Sequence, residues 1–286
     1  MSSSSSITTK TIIESAQHLE WLSRKLSKHH IYGTHASKQV GQGLEFEQYR
    51  PYIQGDDLRQ LDWKLYAKTG KYYIKQSPVA AQNHLHVVID NSPSMQYREE
   101  TYSKLELAKI IGGALSYIAV NQGDTFSWTA GSMQWQKSSG LRKWQASVQG
   151  LYDLSSSKEP ASQNFTAVGN LVWITDGYTS TDEMERMIGL NAHPNIAVTL
   201  IHLMGRAEEE LLFDSSINFK DLETGERIEL DPKVYRQTYK KRLSEHYRAI
   251  AHLCASYNTP STKIYLDDPI DQSLRHVMNT NNAHYR

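Results

Sequence analysis

A chain of 286 residues with 31 basic and 31 acidic side chains carries no net charge to draw it to a nucleic-acid polyanion or an anionic bilayer. Its 39% hydrophobic content fits a folded globular protein able to bury a sizeable core. A single cysteine, Cys254, excludes an intrachain disulfide, and no stretch approaches the roughly 20 apolar residues of a membrane helix.

The opening run Ser2–Ser6 has neither the basic nor the apolar part of a signal peptide, so the chain is expected to be cytoplasmic, with no membrane insertion. Ile12, Ala16, Leu19, Leu22 and Leu26 recur every three or four residues, which predicts an amphipathic helix ending near His29. From 31 to 80, Gly33, Gly41, Gly43, Gly55 and Gly70 punctuate short segments, and Lys71–Lys75 suits a strand. Residues 1–80 are therefore read as a helix plus a β-rich elaboration, and 81–286 as an α/β domain.

In that second part, short apolar runs alternate with helical patterns. Leu85–Ile89 ends at Asp90, and a helix follows through Leu107, Ile111, Leu115 and Ile118. Strands are expected at Thr125–Ala130, at Leu171–Ile174 before Asp176, at Ile196–Leu203 and at Lys263–Leu266. A hairpin over Asn218–Leu230, turning at Glu223–Glu226, and a helix over Lys233–Tyr257 separate the last two. The pattern predicts a doubly wound, mostly parallel sheet with helices on both faces.

Asp90-Asn91-Ser92-Pro93-Ser94 follows the first of these strands. Ligands of open α/β sheets bind beyond the carboxyl ends of strands, where strand order reverses. An extended loop points residues 90, 92 and 94 to one side, giving a carboxylate and two hydroxyls, and Asp176 ends a second strand in the same way. Hard oxygen donors of this kind suit magnesium or manganese. Asp and Ser also favour helix N-caps, so Asp90 and Ser92 equally suit capping the following helix. A phosphoester hydrolase using Asp90 and Asp176 is the enzymatic alternative. Hydrolases of the haloacid dehalogenase type, however, need a second aspartate where Ser92 stands. No phosphate loop, His-Glu-x-x-His or Gly-x-Ser-x-Gly occurs.

Gly41–Phe46, Tyr49-Arg50-Pro51-Tyr52, Gly55-Asp56-Asp57-Leu58-Arg59 and Leu61-Asp62-Trp63 crowd charges and aromatics together. Arg50 and Arg59 lie near Glu45, Asp56, Asp57 and Asp62, so a buried ion-pair network is the simplest reading. Lys64, Lys68, Lys71 and Lys75, interleaved with tyrosines, are read as a solvated strand face.

The run from Gly41 to Trp63, then Ala67, Thr69-Gly70 and Asp90-Asn91-Ser92-Pro93-Ser94-Met95, closely resembles the bacterial domain-of-unknown-function 58 family. Members look like von Willebrand A domains with a β-rich insertion and typically sit beside MoxR-type AAA+ ATPases. The resemblance implies a non-enzymatic adaptor working with such an ATPase in the assembly or maturation of other proteins. It also implies a metal-ion-dependent adhesion site, with Asp90, Ser92, Ser94 and Asp176 holding Mg2+ or Mn2+ for a client's acidic residue. Such sites add a loop threonine, for which Thr166 is the candidate. Only nine residues separate Thr166 from Asp176, too few for the usual helix and strand between them.

Overall fold

The structure is a computed structural model that describes residues 15–39, 48–76, 83–157, 169–191, 196–211, 217–220, 222, 225, 227–230 and 232–283. By internal packing the chain divides into two units, one of residues 32–82 and one formed by Ile31 and the residues before it together with 83–286.

The larger unit is built on a six-stranded sheet. Its strands are β3 (His84–Ile89), β4 (Thr125–Ala130), β5 (Met133–Ser138), β6 (Gly169–Thr175), β7 (Ile196–Met204) and β10 (Ser261–Tyr265), in spatial order β10-β7-β6-β3-β4-β5. All neighbours are parallel except the edge strand β5, which pairs antiparallel with β4. From β3 the chain passes to β4 on one side and later to β6 on the other. The sheet therefore reverses its winding between β3 and β6, and the crevice of a doubly wound fold opens there.

Both faces of the central strands β3, β4, β6 and β7 are largely buried, as in covered parallel sheets. On one face Val87, Ile89, Phe126, Trp128, Val172, Ile174 and Ile201 pack against α3 (Lys104–Asn121), α4 (Leu141–Asp153) and α8 (Ile270–Ala283). On the other, Val88, Leu171, Trp173 and Leu200 meet Met184, Met187 and Ile188 of α5 (Thr181–Asn191) and Ile250 and Cys254 of α7 (Pro232–Ser256). Cys254 is a buried thiol, the small hydrophobe that its neighbours Leu253 and Ala255 imply. The expected hairpin is present as β8 (Ile217–Lys220) and β9 (Arg227–Leu230), with most of its turn outside the described residues.

Two expectations need correction. The first helix, α1 (Ala16–Gln39), continues ten residues past His29 and carries Gly33 within it. Its early apolar positions Leu19, Leu22 and Leu26 join the core of the α/β unit, whereas its residues from Tyr32 onward group with the smaller unit. The close approach depends on small residues: a Cβ on Gly113 of α3 would lie 2.5 Å from Ser23 Oγ, and Ser27 Oγ donates to the Ala114 carbonyl at 3.0 Å.

The second correction concerns the described residues 48–76, which are mixed rather than β-rich. The antiparallel pair β1 (Gln48–Pro51) and β2 (Tyr73–Gln76) encloses a 3-10 turn and the helix α2 (Trp63–Thr69). The charged residues are spent locally and near the surface, not in a buried network. Arg50 forks onto Asp56 at 2.5 and 2.6 Å with a third of its side chain exposed. That hydrogen bond, with the Ile53 N–H, holds the Asp56 carboxyl down at about 2. Asp57 caps the 3-10 turn and Asp62 caps α2. Glu45 lies outside the described residues. Lys64, Lys68 and Lys71 lie exposed on and beyond α2 rather than on a strand.

Gly169 opens β6 with φ +140, and a Cβ there would fall 2.2 Å from the His84 carbonyl oxygen. That clash is with backbone and cannot be relieved by a rotamer change. Gly169→Ala is expected to lose at least ~2 kcal/mol in urea unfolding; an unchanged midpoint would show that β6 starts elsewhere.

Candidate functional site

Asp90 and Asp176 stand one residue beyond the ends of adjacent parallel strands, β3 and β6, whose register pairs Ile89 with Ile174. The Asp90 N–H continues the ladder by donating to the Ile174 carbonyl at 2.8 Å. Both aspartates thus lie at the reversal of the sheet, as the strand pattern implied.

The Asp90 carboxylate is held at both oxygens. Its Oδ1 accepts from the Ser92 N–H at 2.9 Å and its Oδ2 from Thr175 Oγ1 at 2.6 Å. The first bond turns the loop so that Ser92 and Ser94 face one another, their Oγ atoms 3.0 Å apart. Neither Asp90 nor Ser92 caps the following long helix. That role belongs to Ser103, which forms a reciprocal capping box with Glu106 at the start of α3. Ser92 precedes only a 3-10 turn over Pro93–Gln96 and makes no side-chain cap there. Neither side chain therefore caps the long helix, and the Ser92 hydroxyl reaches both Ser94 and the Asp90 carboxylate.

Asp176 is 1% exposed. Its Oδ1 accepts from the Tyr178 N–H at 3.2 Å and its Oδ2 from Lys104 Nζ at 3.1 Å. The same ammonium donates to Glu208 Oε1 at 2.9 Å. Helix α7 fixes the loop from behind: Tyr247 Oη donates to the Asp176 carbonyl at 3.1 Å, and His246 Nε2 lies 2.7 Å from the Gly177 carbonyl oxygen. Gly177 takes φ +75, and a Cβ there would meet the His202 ring at 3.2 Å.

Sequence reasoning missed three members of this cluster. Thr175 was passed over as a strand residue, although Ile174-Thr175-Asp176 puts a hydroxyl at the strand end. No motif or spacing singles out Lys104 or Glu208. The discoverable signal was Lys104 itself, a cation in the first turn of a helix, where the dipole disfavours it. Thr166 lies outside the described residues. The chain heading toward it is anchored to the site, since Asn91 Nδ2 donates to the Ser155 carbonyl at 3.0 Å and the Ser157 N–H to the Asn91 carbonyl at 2.7 Å.

The electrostatics are unbalanced. Two carboxylates, those of Asp176 and Glu208, share the single ammonium of Lys104, and a third, Asp90, feels the charge of Asp176. Burial, and then the charge of Asp176, push the Asp90 carboxyl above its ordinary range. A divalent cation would relieve that strain. Magnesium holds oxygens octahedrally at 2.0–2.1 Å, which puts adjacent ligand oxygens about 3 Å apart. The Ser92–Ser94 separation of 3.0 Å matches that edge, so the donor set fits such an ion. Among the described residues no group of three or more His, Cys, Asp and Glu side chains is placed to hold a metal, so hydroxyls and water would complete the coordination.

A family model described as "Protein of unknown function DUF58" matches residues 48–249, which include Asp90, Ser92, Ser94, Lys104, Asp176 and Glu208. The chain belongs to that family. Uncharacterized protein Mb1516 of Mycobacterium bovis and uncharacterized protein Rv1480 of Mycobacterium tuberculosis are each 27% identical to it over 94 residues. The match spans 33% of this chain and 30% of each relative. Among solved structures, an aerotolerance-related membrane protein of Bacteroides fragilis aligns with TM-score 0.41 at 14% identity, over 70% of this DUF58 chain and 99% of that one. BatB of Bacteroides thetaiotaomicron gives 0.40 at 11% identity over 70% and 99%. The SpRpn10 VWA domain gives 0.36 at 13% identity over 68% and 94%. The doubly wound, mostly parallel sheet with helices on both faces is the architecture that the strand pattern predicts. Among the described residues no helix is long and apolar enough to cross a membrane.

Proposed function

We propose that this DUF58 protein is a non-enzymatic adaptor that holds Mg2+ or Mn2+ in the Asp90 crevice and uses it to bind an acidic residue of a client protein. One observation carries the reading: two hydroxyls stand 3.0 Å apart beside a buried carboxylate whose charge is not balanced. Asp90, Ser92 and Ser94 would hold the ion, with Asp176 behind them. The bound ion supplies positive charge at an open coordination position, which attracts a carboxylate from a partner. Thr175 and the Ser92 N–H keep the Asp90 carboxylate pointing into the crevice, and α7 keeps Asp176 in place. The machine we propose this adaptor serves is a MoxR-type AAA+ ATPase, the partner that the sequence resemblance implies.

Against hydrolysis stands the chemistry two residues after Asp90, where Ser92 offers a hydroxyl and no second carboxylate to relay a proton. Neither Mg2+ nor Mn2+ is expected to give turnover of p-nitrophenyl phosphate.

Isothermal titration with Mg2+ and then Mn2+ tests the metal reading. Asp90→Ala is expected to weaken binding by more than ~100-fold, the loss of a charged ligand, while the protein stays folded. Equal binding by wild type and variant would remove the Asp90 crevice as the metal site.

A further inference from the structure

Lys104 is an unusual cation. It occupies the first position of an 18-residue helix, next to the positive end of the dipole, yet its side chain is fully buried. Four groups cage its ammonium. Asp176 Oδ2 and Glu208 Oε1 accept from it at 3.1 and 2.9 Å, and the rings of Tyr97 and Tyr178 lie with centroids 5.2 and 4.9 Å away. Glu208 is pinned in turn, because its other oxygen accepts from the Gly205 N–H at 3.2 Å. A buried ammonium with two carboxylate partners and two ring faces is a fixed charge, not a wandering surface lysine.

We infer that Lys104 is a resident cation that tunes the Asp90 crevice, weakening its hold on a divalent ion and strengthening that ion's pull on an incoming carboxylate. This rests on reading the crevice as a divalent-metal site. The ammonium takes one oxygen of Asp176 and cancels one of the three carboxylate charges. A divalent ion entering beside Asp90 then meets two net negative charges instead of three. Bound, it leaves the cluster near neutral, and an acidic side chain can approach without repulsion. Without Lys104 the ion would face Asp90 and an Asp176 whose charge is unopposed, held more tightly and attracting an anion less. Glu208 sets the counterweight, since removing its charge makes the crevice poorer for metal.

The test is titration of the full chain with Mn2+ at neutral pH in wild type, Lys104→Met, Glu208→Gln and the double variant, each checked for folding by circular dichroism. Lys104→Met is expected to bind Mn2+ at least about tenfold more tightly, Glu208→Gln several-fold more weakly, and the double variant near wild type. Affinity that follows the charge of the cluster in this order supports the inference, as does binding that appears only in Lys104→Met. If Lys104→Met does not fold, Lys104→Gln takes its place, with the same tighter binding expected. Unchanged affinity across the series, or weaker binding in every variant as a merely structural lysine would give, overturns the role of Lys104 while the metal site stands. Absence of Mn2+ binding in every variant overturns both.

Discussion

Replacing Trp144 with alanine is expected to remove about 3–5 kcal/mol of unfolding free energy, the range for truncating a fully buried aromatic side chain. Trp144 of α4 is 0% exposed and serves three helices at once. Its Nε1 donates to the Gly113 carbonyl of α3 at 3.1 Å, its ring lies 4.7 Å from that of Tyr117, and the Arg24 guanidinium of α1 stacks 5.5 Å above it. Truncation leaves a cavity, removes the indole hydrogen bond to Gly113 and takes away one of the two rings over which Arg24 lies. The position also bears on the site, because α3 begins at Lys104. Urea unfolding measures the loss; a change below ~1 kcal/mol would mean that the three helices repack without Trp144.

Acidification from pH 7 to pH 5 is expected to cost about 3–4 kcal/mol through two buried histidines. Burial, and then the charge of His84, hold His86 down at about 3. Burial, and then the charge of Lys263, hold His202 at about 4. Both stay neutral in the folded protein across this range. In the unfolded chain each titrates near 6.5, so the unfolded state takes up protons that the native state refuses. Stability is therefore full above about pH 6.5 and falls as pH drops toward the folded values. Asp90 acts with the opposite sign. Its raised carboxyl takes a proton earlier in the native state than in the unfolded one, so acid relieves that site and offsets part of the loss. Substitution separates the two effects: His86→Gln keeps a polar partner for Ser127 and should remove roughly half of the histidine contribution. Identical pH slopes in His86→Gln and wild type would show that His86 does not contribute.

The central strands were legible because parallel strands buried on both faces must be apolar along their whole length, and each such run ended at a polar loop. Asp90, Ser92 and Ser94 were legible for the same reason: a carboxylate and two hydroxyls at alternate positions immediately follow one of those runs. Other elements hid for physical reasons. Strand β5 lies at a sheet edge, mostly exposed, so Met133–Ser138 shows no apolar run. Helix α4 buries only Trp144, Ser147, Val148 and Leu151, a narrow stripe in an otherwise polar segment. The Arg50–Asp56 pair was foreseen as chemistry but misjudged in burial, since short spacing in sequence says nothing about depth. Lys104 and Glu208 were invisible as partners because 104 residues separate them and only the fold brings the two together.

Thermal unfolding against Mg2+ concentration at pH 7 tests most directly whether the Asp90 crevice binds a divalent ion. A ligand that binds only the folded state stabilises it by about 2.7 kcal/mol at one hundred times its dissociation constant, and the effect grows with the logarithm of concentration. The wild-type midpoint should climb with Mg2+ while that of Asp90→Ala stays flat. Two curves that rise in parallel, or two that stay flat, would contradict a metal site at Asp90.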